Sequence, residues 1–202
     1  MAADGRLSVA APDRYRRALE RIDAAHAGDP ERDAAGEAAE LVYARRMSAW
    51  LERLAPEASE ALRLAARCQH LRRWEIRRGD YPAGAAGYRK WRADEAAAHA
   101  VAAKEILEAA GYEPGVIAAV QALVKKEDLK RNAETRTLED ASCLVFLESY
   151  FGAFAAKHDE PTLVRILKKT WAKMSPQGRE AALALELAKP LRALLEKAID
   201  RA

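Results

Sequence analysis

Apolar residues recur every three to four positions along most of this chain, and the strict alternation that marks a half-buried strand is missing. Pro12, a residue suited to the first helical position, opens a stretch carrying Tyr15, Leu19, Ile22 and His26 until Gly28-Asp29-Pro30 ends it. A second predicted helix runs from about Ala34 to Leu54, with Leu41, Met47, Trp50, Leu51 and Leu54 on its core side. Pro56-Glu57 opens a third, reaching about Trp74. It bears two stripes, Leu62, Ala65, Ala66 and Gln69 on one side and Leu64, Cys68 and Leu71 on the other. A helix apolar on most sides belongs at the centre of its fold. The pattern resumes near Asp94 and stops at Gly111, a residue type that suits a left-handed C-cap. Pro114 starts a short helix with Val116, Ile117, Val120, Leu123 and Val124, followed by a polar stretch from Lys125 to Arg136. Thr137-Leu138-Glu139-Asp140 reads as a capping box for the most apolar segment, Ala141 to Phe154. Pro161 opens a helix through Leu163, Val164, Leu167, Trp171 and Met174, and beyond Ser175-Pro176 the tail forms one or two more. The prediction is an all-α protein: one domain over residues 1–202, a bundle of seven to nine helices, with residues 1–11 flexible.

Composition narrows this further. The chain has 202 residues, half of them apolar and 32% charged, which excludes a disordered polymer. No apolar run approaches the length of a membrane span and the N-terminus lacks a basic-then-apolar leader, so the expected location is the cytoplasm, away from membranes. Two cysteines, Cys68 and Cys143, form no spaced set and argue against a disulfide framework or a Cys-based zinc site. A net charge of +3 does not by itself imply nucleic acid.

One segment departs from the helical pattern. Residues 72–92 hold Arg72, Arg73, Arg77, Arg78, Arg89, Lys90 and Arg92 against Glu75 and Asp80, a charge of +5 in a chain of +3. Trp74, Tyr81, Tyr88 and Trp91 are interleaved, and Gly79, Pro82, Gly84 and Gly87 predict a long irregular loop over about 75–93. Guanidinium forks suit phosphate or carboxylate, and aromatic faces suit planar rings. Two readings stand side by side: a wall for an anionic, nucleotide-like ligand, or a surface loop pinned by its aromatics. Clustered but few basic residues in an otherwise acidic chain speak against nucleic acid.

Candidate chemistry gathers beside this loop. Gln69 and His70 end the third predicted helix; His70 can serve as acid/base or metal ligand, or cap the last carbonyls. His99 shares a face with Ala103, Ile106 and Ala110 and is expected to point inward. Glu139 is a candidate to orient His70. Glu148, on the stripe of Ala141, Leu144, Val145 and Phe151, is another, because a carboxylate on so apolar a face needs a partner. His26 and His158, at helix ends among polar residues, are expected to face solvent.

The strings Gln69-His70-Leu71-Arg72-Arg73-Trp74, Tyr88-Arg89-Lys90-Trp91-Arg92, Leu138 to Glu148 and Lys169 to Ser175 resemble the uncharacterised family termed domain of unknown function 4202, over roughly Tyr15 to Leu187. The order of elements is also similar to the HD-domain phosphohydrolases, all-helical proteins whose metals are held by separated histidines and an Asp. That resemblance implies an HD-like fold and one divalent metal ion held by His70, His99 and Asp140. It also places Tyr43 at the opening histidine position, Gln69-His70 at the His-Asp pair, and Lys125 or Lys126 at the later histidine.

Three functional readings follow. In one, the protein binds or transforms an anionic small molecule, with His70, Glu139 and Glu148 catalytic. Gln69, Arg73, Trp74, Arg78, Tyr81, Tyr88, Trp91, Arg92 and Lys126 then form the ligand site. The alternative is an HD-like single-metal hydrolase or lyase, and the third is a non-catalytic module that docks a partner protein through its basic aromatic surface.

Overall fold

A computed structural model describes residues 12–200, so the expected flexibility of 1–11 falls outside the described residues. The described residues form ten α-helices and no β-strand, all-helical as predicted, with one helix more than the expected upper bound. None of these helices is long and apolar enough to cross a membrane. The chain divides into two compact units, one ending at Glu127 and the other beginning at Asp128.

The first unit contains α1 (Pro12–Ala27), α2 (Ala39–Leu54), α3 (Glu60–Arg67), α4 (Gly84–Ala109) and α5 (Pro114–Val124). Helix α3 packs against α1, α2 and α5, the central position its two stripes predict, and Leu62, Leu64, Ala65 and Ala66 are all buried. Its N-terminus is capped by Ser59, whose hydroxyl accepts the Leu62 N–H. It stops at Arg67 rather than Trp74, for a reason outside its own periodicity. The Arg67 carbonyl accepts a 2.9 Å hydrogen bond from His26 Nε2, and its guanidinium forms a two-pronged bridge to Asp23 at 2.6 and 2.7 Å. His26 is therefore fully buried, not solvent-facing as its polar surroundings suggest. The backbone beyond α3 turns through left-handed conformations at His70 (φ 64°) and Arg72 (φ 53°).

Two helix starts in this unit also differ from the sequence expectation. Residues 34–38 form a turn ahead of α2: Asp33 accepts the N–H groups of Ala35 and Glu37, and Asp29 accepts those of Glu31 and Glu40. Helix α4 begins at Gly84, ten residues before the expected Asp94, so the irregular loop of 75–93 is half helix. Its glycines serve the entry into α4 instead of breaking it. Gly84 takes φ +87°, and a Cβ on Gly87 would come within 1.9 Å of the Pro82 carbonyl oxygen. Residues 68–83 remain irregular, with two short 3-10 turns at Arg73–Glu75 and Arg78–Asp80.

The second unit contains α6 (Ala133–Val145), a π-turn (Phe146–Tyr150), α7 (Phe151–Ala155), α8 (Glu160–Lys173), α9 (Pro176–Leu183) and α10 (Lys189–Ile199). Helix α6 packs against α8 and α9, and α10 against α7 and α8. Helix α6 is capped by Asn132, whose side chain accepts from the N–H groups of Glu134 and Thr135. The expected capping box at Thr137–Asp140 thus lies inside the helix, where the Thr137 hydroxyl donates back to the Ala133 carbonyl. The π-turn inserts its wider ring into the helical ladder and rotates the register. Glu148 is consequently exposed rather than held on the apolar stripe.

Candidate functional site

His70 is positioned by three elements. The chain reversal after α3 places it, Tyr43 of α2 stacks on its ring at a centroid distance of 4.1 Å and 12° between planes, and Glu40 of α2 meets its Nδ1 at 3.0 Å. Glu40 is held in turn by the cap that Asp29 makes on its backbone N–H. Arg73, three residues along the loop, brings a guanidinium nitrogen to 3.2 Å from the same Nδ1, and His99 of α4 lies 5.9 Å from His70, ring to ring.

These rings line a small cavity of about 220 Å³ with Gln69, Arg92, Lys125 and Lys126. His99 is 5% exposed, and its Nε2 is buried with no hydrogen-bond partner. A buried polar atom left unpaired costs about 1–3 kcal/mol and calls for an explanation. Two residues of the wall, His70 and Lys126, carry left-handed backbones at φ 64° and 56°. For non-glycine residues this conformation costs about 1–2 kcal/mol each.

A second cavity, about 540 Å³, lies on the other side of an ion-pair partition. Glu95 of α4 is fully buried and accepts from Arg73 Nε at 3.1 Å on one oxygen and from Arg92 at 2.9 Å on the other. Arg73 and Glu95 line the larger cavity with Trp74, Arg77 and Trp91, while Arg92 lines the smaller one. The Trp91 ring is fixed by a 3.0 Å hydrogen bond from its Nε1 to the Ile76 carbonyl, with the Arg73 and Arg92 guanidiniums 5.6 and 5.8 Å from its centre.

The charge states follow from burial and neighbours. Burial first, then Arg73, Arg92 and Lys126, hold His70 well below the usual imidazole range. Burial first, then His70, Arg73, Arg92 and His26, push His99 down to about 3. Burial pushes the Glu40 carboxyl up to about 7, with Arg73 opposing it. At neutral pH the small cavity therefore holds two uncharged imidazoles beside fixed cations.

The structure brings together only part of the expected set. Gln69, His70, Arg92, His99 and Lys126 line the small cavity; Arg73, Trp74, Arg78 and Trp91 line the larger one. Arg78 donates to the carbonyls of Tyr81 and Pro82, and the Tyr81 hydroxyl to Asp94, so both brace the loop. Tyr88 is 52% exposed, near Trp91. Glu139, Glu148 and Asp140 belong to the second unit. There Glu139 pairs with Lys173 at 3.2 Å, and Asp140 accepts both the backbone N–H and the hydroxyl of Ser175, at 2.8 and 2.5 Å. Sequence reasoning missed Glu40 and Glu95 because each sits on an ordinary helix with no motif around it. The one available signal was Glu95 facing the same side of α4 as His99, four residues on.

A family model described as a domain of unknown function, DUF4202, matches residues 16–195. The chain belongs to this family. No curated protein and no solved structure matches it. Membership in the DUF4202 family carries no activity, so the chemistry must be argued from the cavity. The metal ion implied by the HD resemblance does not fit there. Among the described residues no group of three or more His, Cys, Asp or Glu side chains is placed to hold an ion. His70 instead faces Arg73, Arg92 and Lys126, which would repel a divalent cation, and both oxygens of Asp140 are taken by Ser175.

Proposed function

We propose that the first unit binds a small molecule through a phosphate or carboxylate group seated in the His70 cavity, and that His70 acts on it as an acid/base. The observation that carries this reading is the buried, unpartnered Nε2 of His99 in a cavity whose polar walls include Gln69, His70, Arg92, Lys125 and Lys126. A neutral imidazole beside fixed cations wants an oxygen acceptor, and an oxyanion satisfies both. The volume of about 220 Å³ suits one such group and little more.

The Glu40–His70 contact gives the site its chemistry. With Glu40 ionised, Nδ1 donates to it rather than accepting from Arg73, and Nε2 is left with its lone pair. Without ligand, burial and then the surrounding cations hold His70 neutral. A bound anion offsets those cations, raises the basicity of the ring and lets it take a proton from a hydroxyl or water held beside the anion. Arg73, hydrogen-bonded to Glu95, keeps its charge against this pair without occupying the small cavity.

Calorimetric titration with inorganic phosphate and with acetate tests the reading. At least one anion is expected to bind, and Arg92→Ala is expected to weaken it at least ten-fold while circular dichroism reports an intact helical fold. The same experiment on Lys126→Met gives a second, smaller loss. An affinity unchanged in both variants overturns the assignment, and no binding of either anion favours the partner-docking alternative instead.

A further inference from the structure

The larger cavity is distinct from the seat of the anion, yet shares a wall with it. Its volume of about 540 Å³ falls in the range of pockets that bury organic ligands, whereas the small cavity is below that range. Beside the carboxylates of Asp29, Glu31, Glu40 and Glu95, part of its lining suits a flat conjugated group. Trp91 is fixed through its Nε1–H on the Ile76 carbonyl, with two guanidiniums beside its ring, and the Trp74 ring lies next to Gly28, 3.7 Å from where a Cβ would stand. The Arg77 side chain, exposed at the same cavity, makes no hydrogen bond or ion pair among the described residues, so its planar guanidinium is available for stacking. The cavities are linked through one carboxylate: Glu95, which lines the larger, accepts from Arg73 on the same side and from Arg92, which lines the smaller.

We infer that the two cavities form one bipartite site for an aryl or heteroaryl acid, its anionic group beside His70 and His99 and its planar body against Trp74 and Trp91. This rests on the anion-binding reading above and names the class of molecule that would satisfy it. A ligand spanning both cavities must pass the Arg73–Glu95–Arg92 partition, and its anion supplies a new partner for Arg92 as it does so. Inorganic phosphate or acetate fills the small cavity only and forgoes the stacking surface. Stacking of a planar ring on an aromatic side chain is favourable, and it is the source of the tighter binding expected of an aryl acid.

The test is a series of ligands on the wild-type protein: phosphate, glycerol 3-phosphate and phenyl phosphate, with acetate and benzoate as the carboxylate pair. The aryl acid is expected to bind at least ten-fold tighter than its parent anion, and glycerol 3-phosphate to gain less than three-fold over phosphate. Tryptophan emission is expected to change with the aryl ligands and not with the parent anions. In Trp74→Ala the aryl-to-parent ratio should fall towards one, a comparison that stays valid if overall affinity drops. If phosphate or acetate binds but the aryl acids bind no tighter, the bipartite site is wrong and the anion site stands. If the glycerol ester gains as much as the aryl ester, the larger cavity does not select planar groups and the inference fails. If nothing in either series binds, both the inference and the reading beneath it fall.

Discussion

Two places in this molecule bury acids and their partners, and they are built in opposite ways. In the second unit, Asp140 has one oxygen on the Ser175 N–H and the other on the Ser175 hydroxyl, which also caps α9 by accepting the Gly178 N–H. Gly178 lies so near that a Cβ there would come within 2.3 Å of Asp140 Oδ1. Every polar atom of that clamp has work within the fold. In the first unit, the cavity of His70 and His99 keeps an orphaned Nε2, two strained backbones and a cluster of cations. Folding tolerates such features where something other than stability holds them in place. A buried polar group that is fully paired argues for architecture. One that is left unpaired beside a cavity argues for a ligand.

The contrast is broken or sharpened by mutating each side. The largest effect is expected at the clamp: Asp140→Ala leaves two Ser175 donors without an acceptor in a packed site. It should cost about 3 kcal/mol in urea unfolding while leaving anion affinity within two-fold. Gly178→Ala, which forces Asp140 and α9 apart, should cost about 1–3 kcal/mol by the same measurement.

At the cavity the sign reverses. His99→Phe replaces an unpaired imidazole by an apolar ring of similar shape, and should raise stability by about 1 kcal/mol at pH 7 while weakening anion binding at least five-fold. A loss of stability in that variant would mean that His99 is part of the architecture after all.

The same pair of proteins gives a pH signature. His99 titrates near 6.5 when unfolded and at about 3 when folded, so the unfolded chain binds the extra proton across that window. Wild-type stability from this group is complete above pH 6.5 and is lost as pH falls. The advantage of His99→Phe should therefore grow below pH 6.5, by at most about 1.4 kcal/mol per unit. Glu40, raised to about 7 in the fold from an ordinary 4.5, acts oppositely, since its contribution is present below 4.5 and is lost as pH rises through 7. Glu40→Gln should flatten that second slope, and a profile unchanged by Glu40→Gln would contradict its burial beside His70. The smallest effect belongs to His158, exposed and stacked on Phe154, where His158→Ala should shift stability by under about 0.5 kcal/mol.

How much of this was legible beforehand depended on what each signal measures. Helix spacing reports burial, and it placed α1, α5 and the central α3 well. Helix ends depend on who takes the terminal carbonyls and N–H groups, and at α3 that partner is His26, 41 residues away in sequence. Glycines were misread at α4 because composition cannot separate a glycine that breaks a helix from one that lets Pro82 pack against it. Glu148 followed the right period into the wrong place, because nothing in the sequence announced the π-turn that contains it. The cavity was legible in outline, since Gln69, His70, Arg92, His99 and Lys126 were all singled out and all line it. Glu40 and Glu95, which orient its histidine and its arginine, were not: Glu40 stands in no motif, and the one sign for Glu95 was its place on the His99 face of α4.

The four histidines offer the most direct measurement, since they sit in three different environments and each ring gives its own nuclear magnetic resonance signals. His70 and His99 line the cavity, His26 is buried at the end of α3, and His158 is on the surface. Titration with phosphate or acetate should move the ring resonances of His70 and His99 together and saturably, leave His26 and His158 in place, and lose the effect in Arg92→Ala. Saturable movement confined to His158, or no movement at all, would contradict the central claim that the His70 cavity is built to receive an anion.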